Sequence, residues 1–344
     1  MRVAMYYNNS DIRIEEMPIP EIGPDEMLVK VVASGICGSD VMEWYRIKTA
    51  PRVLGHEVAG VVVKVGEKVD GFNVGDRVMV THHVPCLKCH YCLRGHESVC
   101  DTLRTTNFDP GGFSEYLRVP AINVDRGTYL LPDNMSFEEG TFIEPLACVV
   151  RGLRFASVQP GDTVAVLGSG ITGILMVQAV QSVGAGLVVA TDTHPARRKW
   201  AEKFGAVSLD ARENVAEEVK KMNGRRGADV VAVCTGSPAA IKQAWDVVGR
   251  GGRILFFAPT DPDARIDFPF NKIWKDEVSI VTSYAGPPRD IEAAISLISN
   301  GRVNVREMIT HRLPLERTPE GFRIVMGGGE SMKVIIFPHG VPGE

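Results

Sequence analysis

No stretch of this chain stays apolar for the roughly 18 residues that a bilayer-spanning helix requires, so no membrane anchor is expected. A surplus of charge is missing as well. Against 42 Asp and Glu stand 38 Lys and Arg, a net charge of −4. That balance lacks the basic footprint of a nucleic-acid binder or of a protein drawn to anionic lipid. Cysteines number only seven. An odd count, with four of them crowded into one short stretch, leaves too few for a disulfide framework and fits a reducing cytoplasm. The opening MRVAMYYNNSDIRIEEM has no unbroken apolar segment, so it does not read as a secretory signal. Internal repeats and low-complexity segments are absent.

What is present is the make-up of a folded protein: 344 residues, 44% hydrophobic and 23% charged, enough for two ordinary domains with a large core. The first 140 or so residues read as β-rich. MLVKVVAS (27–34), VAGVVVKVG (58–66) and GDRVMVTHHV (75–84) are apolar runs bounded by Gly, Pro and Asp. From about Phe155 the texture changes to strand-like TVAVLGSG, helix-like ITGILMVQAVQSVGA, strand-like LVVATD and helix-like PARRKWAEKFGA. Such alternation with short Gly-rich joints predicts a parallel, doubly wound sheet. The run GPPRD near 286 punctuates the chain again, before a closing helix and the strand-like MKVIIFP.

The crowded cysteines are Cys86, Cys89, Cys92 and Cys100, spaced C-x₂-C-x₂-C-x₇-C. Three thiolates at three-residue intervals converge on one point when the backbone wraps around an ion. A tetrahedral Zn²⁺ with four sulfur ligands satisfies that, and such a closed site builds structure without catalysing. An iron–sulfur cluster is the alternative reading of the spacing. Lys88, His90, Arg94, His96 and Glu97 interleave the cysteines, so the stretch is too polar for four thiols packed as core.

After the strand-like TVAVL comes Gly168-Ser-Gly170-Ile-Thr-Gly173. The first Gly permits a tight turn and the second lets the backbone approach a pyrophosphate. The third allows close helix–strand packing, and the helix N-terminus adds partial positive charge. Asp192 follows about 20 residues later at the end of LVVATD, where it is placed to accept both ribose hydroxyls and to repel a 2′-phosphate. NAD is therefore expected over NADP; a helix cap is the other reading of Asp192. Arg197 is a candidate to stack on the adenine or to close the ribose pocket.

The remaining candidates are Cys37 in GICGSD, His56-Glu57 in GHEVAG and Glu144 in FIEPLAC. Together with the cysteine lobe and the nucleotide motif, and with Gly60 and Gly66 spaced after GHE, they resemble the zinc-containing medium-chain dehydrogenases over essentially the whole chain. LPDNMSFEEGTFIEPLAC is similar to the polyol branch, which holds sorbitol, galactitol-phosphate and threonine dehydrogenases. The resemblance implies a GroES-like, β-rich catalytic domain (1–147 and 287–344) split around a Rossmann NAD-binding domain (148–286). Between the two domains the nicotinamide would lie over a catalytic zinc, with a second zinc in the lobe at about 84–102. It implies a homo-oligomer, a tetramer in relatives, acting on a secondary alcohol of polyol, sugar or amino-alcohol kind. A non-catalytic NAD-binding protein stapled by zinc is the contrasting reading.

The same resemblance assigns Cys37 and His56 to the catalytic metal, with Glu57 or Glu144 as the third ligand, both open. It makes Ser39 the hydroxyl that relays the proton. Where many relatives carry a relay histidine, Met42 stands here, with Glu43 next to it. Thr172, Thr235, Ser283 and Tyr284 are expected near the cofactor. Trp44, Tyr45, Phe113 and Tyr284 are candidates to line the substrate pocket, and His82 or His83 to face it. Sorbitol-type enzymes often show Arg-Tyr where Ser283-Tyr284 occurs here, which argues against sorbitol itself.

Overall fold

The computed structural model describes residues 1–343. The chain divides into two compact units. The first comprises Met1–Ala147, Ala285–Asn300 and Val305–Glu344, and the second Cys148–Tyr284 with Gly301–Asn304. The excursion Gly301–Asn304 belongs to the second unit through Gln178. Its amide donates to the Asn304 carbonyl (3.2 Å) and its side-chain oxygen accepts from the Asn304 N–H (2.7 Å).

In the first unit a seven-stranded sheet runs in the order Ile309–Pro314, Lys333–Phe337, Met27–Gly35, Glu57–Val65, Arg77–Val80 and Thr128–Leu130, with Tyr116–Val119 also pairing to Met27–Gly35. Val29, Val31, Val58, Val62, Val78 and Val80 are fully buried in one apolar cluster with Leu117 and Val119. Branched side chains on the pleated faces of Met27–Gly35, Glu57–Val65 and Arg77–Val80 thus build its core. A smaller three-stranded sheet joins Asp11–Glu16, Arg2–Asn8 and the two-residue strand Arg52–Val53. Gly55 turns the chain between that short strand and His56 at φ +91°. A Cβ there would press on the backbone of Phe113, so the approach to His56 requires glycine.

The second unit is a six-stranded sheet, parallel throughout, ordered Val207–Asp210, Leu187–Asp192, Thr163–Leu167, Ala228–Val233, Val248–Phe256 and Ser279–Thr282. All five residues of Thr163–Leu167 are buried, as a central strand covered on both faces must be. The strand order reverses direction beside Thr163–Leu167, and this is where open α/β sheets bind their ligands. Among the described residues no helix is long and apolar enough to cross a membrane.

Candidate active site

The loop leaving strand Met27–Gly35 folds back at once. The Asp40 N–H donates to the Cys37 carbonyl (3.0 Å), while the Cys37 N–H donates to Asp40 Oδ2 (3.1 Å). This double clamp fixes Cys37 and turns the Asp40 carboxylate inward, where it is fully buried. Asp40 Oδ1 lies 3.3 Å from His56 Nδ1 and 3.3 Å from Arg46 Nη2. Burial alone would raise the Asp40 pKa, but His56, Arg46 and the Cys37 N–H together hold it below the usual carboxylate value.

His56 is buried and hydrogen-bonded to both Asp40 and Cys37. Desolvation opposes a charge on the ring, yet the charges of Asp40 and Cys37 hold its pKa well above the ordinary imidazole value. The surroundings therefore favour positive charge at this point. With Nδ1 engaged by Asp40, the other ring nitrogen is the one left for a metal. Carboxylate–imidazole pairs of this kind orient metal-ligating histidines. Ser39 Oγ lies 3.4 Å from Cys37 Sγ and accepts a hydrogen bond from Arg46 Nη2 at 2.9 Å. The Cys37 sulfur, the His56 imidazole and the Ser39 hydroxyl are thus brought together. Asp40 and Arg46, which organise them, escaped the sequence reading. The Asp three residues after Cys37 was a usable signal, since a histidine ligand wants a carboxylate behind it.

Glu57 takes a different place. Its carboxylate pairs with Lys333 Nζ, and both side chains are almost wholly buried, 1% and 0% exposed. The two residues stand on the strands flanking Met27–Gly35 and meet over Gly35, where a Cβ would collide with both. Lys333 Nζ also lies 5.3 Å from the centre of the Phe142 ring. Glu144 is buried in the first turn of helix Ile143–Ala156. Among the described residues Cys37, His56, Glu57 and Glu144 do not gather as tightly as the lobe cysteines do.

Those cysteines converge fully. The sulfurs of Cys86, Cys89, Cys92 and Cys100 all lie within 4.8 Å of one another, with Cys89 to Cys92 at 3.5 Å and Cys86 to Cys92 at 4.0 Å. The Cys89 N–H points at Cys86 Sγ (3.3 Å) and the Cys86 N–H at Cys100 Sγ (3.4 Å). Four soft donors at such spacing, with backbone N–H groups aimed at two of them, suit a tetrahedral thiolate site.

In the second unit, Gly168 turns at φ +96° and packs on Thr235, and a Cβ on Gly173 would overlap the Gly168 carbonyl. A Cβ on Gly170 would meet nothing nearer than Arg197 Nη1 at 4.0 Å, which leaves room for a phosphate at the start of helix Ile171–Val183. Thr172 is in the first turn of that helix. Asp192 ends its strand with Oδ2 accepting from the Ser169 N–H (3.0 Å) and Oδ1 from the His194 N–H (2.8 Å). It therefore clamps the glycine loop and also caps the turn that leads into helix Pro195–Lys203. Arg197 stands 3.9 Å from Asp192, while Arg198 is drawn 3.1 Å from Asp210. Ser283 and Tyr284 follow strand Ser279–Thr282, with Tyr284 half exposed.

One expectation about the pocket changes. Phe113 is a core residue, 1% exposed and edge-on to Phe322, and so lines no pocket. Trp44 and Tyr45 sit on the short helix Glu43–Arg46, with ring centres 5.8 Å apart. His82 comes to the site: its ring centre is 4.8 Å from that of His56 and 3.7 Å from that of His83.

Comparison with known proteins agrees with this picture. Residues 23–128 match the alcohol dehydrogenase GroES-like domain and residues 172–300 the zinc-binding dehydrogenase domain. The chain is 34% identical to a sorbitol dehydrogenase of Bacillus subtilis, covering 98% of each chain. It is 32% identical to a probable D-xylulose reductase of Aspergillus fumigatus, covering 94% of this chain and 93% of that one. Alcohol dehydrogenase TADH from Thermus sp. ATN1 superposes with a TM-score of 0.88 at 30% identity, covering 98% of this chain and 99% of that one.

Proposed function

From the membership of this chain in the zinc-containing medium-chain dehydrogenases we propose that it oxidises a secondary alcohol of a polyol or related sugar alcohol to a ketone, with NAD as hydride acceptor. The observation that carries the proposal is the His56–Asp40 pair next to Cys37, an imidazole oriented by a carboxylate beside a cysteine sulfur. The sulfur, imidazole and carboxylate donors fit zinc. Cys37 and His56 would hold it with a carboxylate, Glu57 or Glu144, and a zinc bound through Glu57 would have to share that carboxylate with Lys333. Zinc bound there supplies Lewis acidity that lowers the pKa of the substrate hydroxyl, and NAD accepts the hydride.

The protein's own part is orientation and proton handling. Ser39 Oγ is the hydroxyl through which the substrate proton leaves. Arg46, 2.9 Å away, lowers the cost of negative charge on that oxygen while the proton passes. Met42 carries no proton, so beyond Ser39 the route runs to water. The four-cysteine lobe would hold a second, structural zinc. Changing Cys100 to Ser should remove one zinc per chain and make residues 84–102 the first site of proteolytic cutting. Uncut protein with full zinc content would refute a metal-built lobe.

NAD is preferred because Asp192 repels a 2′-phosphate and Arg198 is occupied by Asp210. Asp192→Ala should raise the KM for NAD and shrink its advantage over NADP by about tenfold or more. Unchanged kinetics with both cofactors would refute the role. A panel of polyols, sugars, sugar phosphates and threonine followed by NADH absorbance, with zinc analysis of the same sample, tests the activity. Turnover of none of them with two zincs bound would favour a non-catalytic NAD-binding protein. We further infer an oligomer, a tetramer, in a cytoplasmic setting. The exposed sheet-edge strand Ser279–Thr282, close in sequence to exposed Phe270 and Trp274, supports a contact between subunits.

A further inference from the structure

Building on the alcohol-oxidising centre proposed above, we propose that its alcohol carries an anionic group, a phosphate ester or a carboxylate, which is received by Arg52 with Arg46 beside it. Arg52 stands on the strand Arg52–Val53, four residues before His56, and is partly buried. Among the described residues its side chain makes one hydrogen bond, a long one from Nη1 to Thr49 Oγ1 (3.5 Å), and no ion pair. The other charges nearby are answered. Arg46 is paired with Asp40, and Lys333 with Glu57. Asp40, the one carboxylate acting on Arg52, is already bound by His56, Arg46 and the Cys37 N–H. One guanidinium is left over.

A half-buried cation beside another cation is costly unless an anion comes to it. Burial, and then the charge of Arg46, push the Arg52 pKa down. Arg46 reaches Ser39 Oγ (2.9 Å) and shares Asp40 with His56, and the His82 ring centre is 4.8 Å from that of His56. His82 Nδ1 is buried and has no partner, which leaves it ready for a hydroxyl of the same ligand. Asn123 Nδ2 holds the segment in place by donating to the carbonyls of Thr81 (2.9 Å) and His82 (3.0 Å). A guanidinium fork, an unpartnered imidazole nitrogen and the Ser39–Cys37 pair together describe a polyhydroxylated anion better than a neutral polyol.

The test compares kcat/KM of the zinc-loaded enzyme for a neutral hexitol, a hexitol phosphate and an aldonate, for wild type, Arg52→Met and Arg52→Lys. One of the two anionic classes should exceed the neutral hexitol by at least about tenfold in the wild type, and that arm identifies the group. Arg52→Met should lower this preference by roughly 10- to 100-fold, mainly through KM, and Arg52→Lys should restore part of it. Thermal unfolding of each variant separates a binding defect from a folding one. Equal use of neutral and anionic alcohols by the wild type would overturn the inference. So would an equal loss on all substrates in a folded Arg52→Met, or a rise in KM for NAD alone, which would assign Arg52 to the cofactor. Either of these outcomes leaves the alcohol-oxidising reading standing. Oxidation of no alcohol at all would overturn that reading, and this inference with it.

Discussion

Replacing His56 by alanine is expected to remove one of two zinc ions and to lower kcat/KM by about a thousandfold or more, with the lobe zinc retained. Stabilising a developing alkoxide is worth several kcal/mol, and each 1.4 kcal/mol is roughly tenfold in rate. Cys37→Ala should do the same, because a soft anion and an imidazole are both needed to hold a cation beside Ser39. Asp40→Asn belongs to this series with a smaller effect of about 10- to 100-fold, since it disturbs the tautomer and angle of the ring and leaves the donor atom in place. Zinc analysis and steady-state kinetics on the same preparations decide the matter. A variant lacking both Cys37 and His56 that still turned over its alcohol at full metal content would end the proposal.

The second large effect concerns stability. Lys333→Met should destabilise the protein by about 3–5 kcal/mol, because it leaves the Glu57 carboxylate 1% exposed without its countercharge. In a unit of this size that corresponds to a fall in melting temperature of roughly 10 °C. Glu57→Gln alone should cost a similar amount by stranding the ammonium. The double variant Glu57→Gln with Lys333→Met should recover most of the loss, since removing both charges removes the desolvation penalty as well. Calorimetry on the four proteins forms a double-mutant cycle. If each single change moved the transition by only a degree or two, the pair would not be a structural clamp across Gly35.

The lobe and the glycine loop were legible because their chemistry is local. Cysteines three residues apart can reach one ion whatever surrounds them, and Gly168, Gly170 and Gly173 are demanded by one turn and one helix. Phe113 could be read either as pocket or as core for the complementary reason. An aromatic in a loop can point to a pocket or to the core, and only its packing on Phe322 decides. Asp192 was read as a ribose acceptor or a cap. The structure gives it two backbone N–H partners, on Ser169 and His194, which tie it to the glycine loop and to the turn before helix Pro195–Lys203, whose N-cap is His194 itself.

The sequence by itself determined the class of chemistry: soft ligands at metal-binding intervals, a phosphate-binding turn after a strand, and an acid at its proper distance. Short-range geometry and donor type suffice for that, and neither depends on how distant segments meet. Tertiary structure alone decided which charges are satisfied. Glu57 and Lys333 are 276 residues apart in sequence, and Asp40 and His56 reach each other only after two short helical segments and the strand Arg52–Val53. Burial then makes each pairing consequential, because a charge that water would screen must find its partner inside the protein. Arg52, which found none, is the residue that points to what the protein binds.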